Sequence, residues 1–213
     1  MIPNFVRAVV CVAMVCSAQA AFAGPIEAGD WVRFKGSLGT LGGGAFKVDD
    51  LTDPTVEDFL TFCVQETQYI DYTHDFRIGS ITNYADDASG PDYLETETAW
   101  LMSNFIRGLL SSYTSNDIQW AIWKLEGEQS TNWGNSAALI SVAHSAVLSG
   151  WTNDGVQVLN LFWADGTKAQ DQLVYQPTTF QTTAAVPEPA SLLLLGTGLG
   201  AVAARMRRRS ATA

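Results

Sequence analysis

Cysteine is nearly missing: the 213-residue chain has three, Cys11, Cys16 and Cys63. Histidine is scarcer still, with His74 and His144 alone. Two histidines without a matching serine or cysteine signature give no basis for a triad hydrolase. No glycine-rich phosphate loop and no Cys/His cluster with metal-ligand spacing occurs, so neither a cofactor nor a metal is expected. Basic residues are also few, 12 Lys and Arg against 22 Asp and Glu. Between residues 24 and 185 the imbalance sharpens to seven against twenty-one, a net of −14. Such a surface repels nucleic acid and anionic membrane, and neither is expected as a partner. The carboxylate clusters "VDDLTD" and "YADDASGPD" lack the spacing of a calcium loop and read as solvated loops.

The two ends are addresses. Arg7, the apolar run "AVVCVAMVCSA" and the small-x-small "AFA" before Gly24 make residues 1–23 a secretory signal peptide. At the other end, residues 186–213 hold the triplet Pro187, Glu188 and Pro189, an apolar stretch, and Arg205, Arg207, Arg208 and Arg209. Physically this is a short membrane helix with a stop-transfer charge cluster that holds the tail in the cytoplasm. Its order resembles the PEP-CTERM sorting signal of Gram-negative bacteria. That resemblance implies an exosortase as processing partner, only transient residence in the inner membrane through the C-terminal helix, and a mature protein at the cell surface or outside the cell.

Residues 24–185 remain, enough chain for one domain with a real core. Residues 31–72 are strand-like: "WVRFKG" alternates, "GAFKV" follows a glycine cluster, and "FLTFCVQ" is rich in strand formers. Residues 95–149 are helical. "ETETAWLMSNFIRGLL" opens on acidic residues and is expected to run to the serines that follow. "SNDIQWAIWKLEG" has Ser115 as an expected N-cap and Gly127 as a stop, with Ile118, Ala121, Ile122 and Leu125 on one apolar face. A third helix in "NSAALISVAHSAVLSG" follows, capped by Asn135 or Ser136. "VQVLNLFWADGTKAQDQLVY" reads as a β-hairpin turning at Asp165-Gly166. The expected fold is α+β, a β-sandwich or barrel-like core interrupted by an insertion of about three helices.

Cys11 and Cys16 leave with the signal peptide, so the mature chain keeps Cys63 alone. Exported proteins use cysteines in pairs, and an odd one needs burial or a different covalent partner. "FCV" in an apolar strand suits a small buried hydrophobe. Gln119, however, lies among Ile118, Trp120, Ile122 and Trp123, and a carboxamide there is costly to bury unless it is hydrogen-bonded or chemically consumed. Phe62-Cys63 and the block "IQWAIW" together resemble the Cys-Gln thioester domains of bacterial surface adhesins, with Ile118 standing where threonine is frequent. The resemblance implies a thioester between Cys63 and Gln119, shielded by Trp120 and Trp123. It would serve single-use covalent capture of an amine-bearing protein or surface ligand, not catalytic turnover. The alternative is a non-covalent structural or glycan-associated matrix protein, partnered with exopolysaccharide, whose Cys63 is merely buried.

Overall fold

The computed structural model describes residues 26–177 apart from positions 41 and 55. The signal peptide and the sorting-signal residues Pro187 to Arg209 lie outside them. Strand β1 (Trp31–Ser37) shows why the chain starts as a sheet: Val32 and Phe34 are buried while Arg33 and Lys35, alternating with them, face outward. It pairs antiparallel with β2 (Phe46–Asp50), whose Phe46 and Val48 join the same interior. Strand β3 (Phe59–Thr61) follows, then β4 (Asp75–Thr82), β7 (Val156–Trp163) and β8 (Gln172–Tyr175). All pairings are antiparallel, in the order β3-β2-β1-β4-β7-β8.

The two edges of this sheet meet. Past the end of β3, Leu173 donates its N–H to the Phe62 carbonyl (2.9 Å) and Val64 to that of Asp171 (3.1 Å). Cys63 sits opposite Gln172 in an antiparallel bridge between them. The sheet thus closes into a barrel, which removes exposed strand edges. The seam of that closure is the cysteine segment. Along it, side chains alternate: Cys63 joins the interior cluster of Phe34, Phe46, Phe76 and Leu161, while Phe62 and Val64 join the cluster formed with the helices.

Between β4 and β7 lie a two-stranded ribbon and three helices. The stretch expected as a solvated loop, "YADDASGPD", instead forms strands β5 (Tyr84–Asp87) and β6 (Gly90–Tyr93). The buried Asp171 carboxylate pins it by accepting from the Asp86 N–H at 2.9 Å. Asp50 of the other acidic cluster is likewise buried, accepting the Thr52 and Asp53 N–H groups to cap a turn.

Helix α1 (Thr96–Ile106) stops short of the serines, because Gly108 takes φ +73° and Leu109 bonds back to the Asn104 carbonyl. Helix α2 (Ser115–Leu125) is capped one residue earlier than expected. Thr114 and Asp117 form a reciprocal capping box. The second Asp117 oxygen accepts from the Asn135 N–H at the start of α3 (Ser136–Leu148). The architecture is therefore α+β, a closed antiparallel sheet with a three-helix insertion packed against it. Ile118, Ala121 and Ile122 face the helical cluster. Trp123 projects into the barrel cluster, and Gln119, one turn before it, lies on the same stripe of α2.

Candidate functional site

Cys63 and Gln119, 56 residues apart in sequence, are in direct contact. The Gln119 carboxamide pairs with the backbone of the cysteine itself. Its Oε1 accepts from the Cys63 N–H at 3.0 Å, and its Nε2 donates to the Cys63 carbonyl at 2.8 Å. A second N–H, from Gly44, reaches the same Oε1 at 3.2 Å. This pattern sets which end of the amide is oxygen, since two N–H donors can only face an acceptor. Both residues are sealed from solvent, Cys63 fully and Gln119 to 1% exposure.

Sequence reasoning missed the glycines at this site. Gly44 donates its N–H from φ +102°, a conformation that favours glycine. Gly43 lies so close to α2 that a Cβ there would meet Gln119 Cγ at 2.5 Å and Trp123 at 2.8 Å. The run "GGG" in the sequence was the signal: three consecutive glycines between strands mark close backbone approach.

The thiol has its own partner. Cys63 Sγ lies 3.0 Å from Gln170 Oε1. Burial pushes the Cys63 thiol up to about 12, with the Gln172 carboxamide pulling the other way. It is therefore held as a neutral thiol. Gln170 in turn donates to the Gln65 carbonyl and accepts from Gln172. These buried glutamines sit at the closing seam of the barrel, where the edges cannot pair fully by backbone alone, and their carboxamides supply the missing partners.

Trp123 belongs to the same buried cluster as Cys63, and Trp120 packs against that cluster from a half-buried position. Trp120 meets Trp123 edge-on and stacks on Trp133 with ring centroids 6.2 Å apart. Outside them opens a cleft of about 330 Å³ bordered by Trp120, Trp123, Tyr69, Tyr72, Glu66 and Gln170. Gln170 thus touches the cleft on one side and the thiol on the other. The histidines stay away: His74 is exposed and paired with Asp71, and His144 is exposed and paired with Glu97. Among the described residues no cluster of three metal-ligating side chains occurs.

Chemically, the site holds a carboxamide carbon beside a cysteine, with its oxygen cradled by two backbone N–H groups. That is the arrangement that stabilises negative charge on oxygen when a nucleophile adds to a carbonyl. No curated protein and no solved structure matches the chain. Residues 185–209, which include the triplet and the basic tail, match the PEP-CTERM protein-sorting motif, so the chain carries the signal of an exported, exosortase-processed surface protein.

Proposed function

We propose that the folded domain of this exported protein forms an internal thioester between Cys63 and Gln119 and uses it once, to capture an amine-bearing partner covalently. The observation that supports this most directly is the double hold on Gln119 Oε1 by the Cys63 and Gly44 N–H groups. In the forming step, Cys63 Sγ bonds to Gln119 Cδ, the Cδ–Nε2 bond breaks, and the thiol proton leaves with ammonia. A neutral buried thiol is a weak nucleophile, so contact geometry and the N–H cradle must lower the barrier. In the capture step an amine nitrogen takes Gln119 Cδ from sulfur, and its proton ends on Sγ. Trp123, with Trp120 outside it, keeps water from competing.

The test is the intact mass of freshly purified exported protein in amine-free buffer. It should be lighter than its processed sequence by one ammonia, and the deficit should be gone in Cys63→Ala and in Gln119→Ala. Full mass with a titratable Cys63 after denaturation would overturn the reading. A second reading is supported by the existing bond from Sγ to Gln170 Oε1, which satisfies the thiol without a covalent partner. On that reading the domain is a non-covalent structural or glycan-associated matrix protein, and it predicts full mass.

A further inference from the structure

We propose that the cleft beside the Cys63–Gln119 pair is a binding site for an amino sugar, and that the captured amine is the C2 amine of a glucosamine-type polymer. The covalent step rests on the thioester reading above, whereas binding in the cleft does not.

The cleft's size, about 330 Å³, falls at the lower end of the range small-molecule sites occupy, roughly 300–1,000 Å³. Its rim offers flat aromatic surface to solvent: Tyr69 is 73% exposed and Tyr72 49%. Exposed tyrosine faces on a strongly acidic, exported domain suit the C–H face of a pyranose, which is apolar on its flat sides and polar around its edge. Polar side chains line the cleft as well. Trp120 and Trp123 each carry a buried indole N–H without a partner, and Gln68, also on the lining, carries a buried carboxamide oxygen without one. Trp123 itself is 4% exposed.

A simple aliphatic amine covers less of the two exposed tyrosine faces than the flat side of a pyranose does. Glu66 adds a carboxylate on the same lining, which favours a cationic sugar over a neutral or acidic one. Gln170 lines the cleft and its Oε1 lies 3.0 Å from Cys63 Sγ. An amine seated there approaches the Cys63–Gln119 pair from the Gln170 side.

The experiment uses the exported protein and a glucosamine tetramer, with its N-acetylated counterpart, cadaverine and Nα-acetyl-lysine as comparisons. In Cys63→Ala, which cannot form a thioester, calorimetric titration should show saturable binding of the glucosamine tetramer. Tyr69→Ala and Tyr72→Ala should each weaken it by several-fold and the double variant by about tenfold or more. Leu148→Ala, on the exposed face of α3, should leave it unchanged and serves with thermal melting as the control for folding. In the wild type, mass spectrometry should find the tetramer attached at Gln119. Its rate should exceed that of Nα-acetyl-lysine or cadaverine by at least tenfold, an advantage the double tyrosine variant should lose. The N-acetylated tetramer should bind and leave no adduct.

Binding that is absent in Cys63→Ala, or unaltered by the tyrosine substitutions, overturns the sugar site. An ammonia deficit in the wild type alongside that result would keep the thioester. Sugar binding with no ammonia deficit would keep the cleft and overturn the thioester. Equal reaction rates for lysine and glucosamine compounds overturn the assignment of the captured amine.

Discussion

Cys63→Ala costs very different amounts depending on whether a cross-link exists. Without one, the substitution removes a single buried sulfur atom, comparable to deleting a methyl group from a core, about 0.5–1.5 kcal/mol. With one, it also opens a covalent loop spanning the 56-residue separation of Cys63 and Gln119. Closing a loop of that length removes about 4 kcal/mol of unfolded-chain entropy on the chain-entropy model. The two terms together reach about 5 kcal/mol. For a domain of this size roughly 2–4 °C accompanies each kcal/mol, so the melting temperature should fall by about 10–20 °C rather than by a few degrees. The assay is thermal unfolding of the exported protein in amine-free buffer, before and after prolonged exposure to methylamine. Methylamine should open the thioester and bring the wild type down by most of that interval, while Cys63→Ala should not respond. Wild type and Cys63→Ala melting within a few degrees of each other, with methylamine inert on both, would refute the reasoning.

Gly43→Ala should displace the glycine loop, because its Cβ would meet Gln119 and Trp123 well inside van der Waals contact. It should cost about 1–3 kcal/mol and slow appearance of the ammonia deficit in a time course of newly made protein. Asp117→Ala removes both the capping box of α2 and the hold on the Asn135 N–H, and should cost about 1–2 kcal/mol in denaturant titration. Glu126 gives a pH dependence. Burial, reinforced by Asp92 and Glu95, pushes its carboxyl up from 4.5 to about 7. The folded state holds this proton more tightly than the unfolded chain, so stability is full below the unfolded value and declines as pH rises through 7, by on the order of 3 kcal/mol. Glu126→Gln should flatten that decline in melts between pH 4 and 8. Finally, mass analysis of the exported protein should find no C-terminal peptide containing Arg205 to Arg209.

The sorting signal was legible in full, since the order of a triplet, an apolar run and a basic cluster along the chain is itself the information. The strand–helix–strand layout was legible too, because Val32/Phe34 alternation and the Ile118/Ala121/Ile122 stripe are local periodicities. Local reading failed where distant groups intervene. "YADDASGPD" reads as a solvated loop but forms a ribbon, pinned by Asp171, 85 residues away in sequence, which accepts the Asp86 N–H. Helix α1 is shorter than its apolar run implies, because Gly108 takes a left-handed backbone that only the fold reveals.

At the site itself, the sequence singled out Cys63 and Gln119 by chemical type: one odd thiol on an exported chain and one carboxamide in an apolar helix face. The run "GGG" marks a close backbone approach, but which oxygen its N–H faces, and that Gln170 lies against the thiol, are not written in the sequence. Those depend on barrel closure, which brings β2, the segment after β3, β8 and α2 to one point. Residue type is a property of the chain. Which backbone N–H faces a given oxygen is decided only when the two edges of the sheet meet.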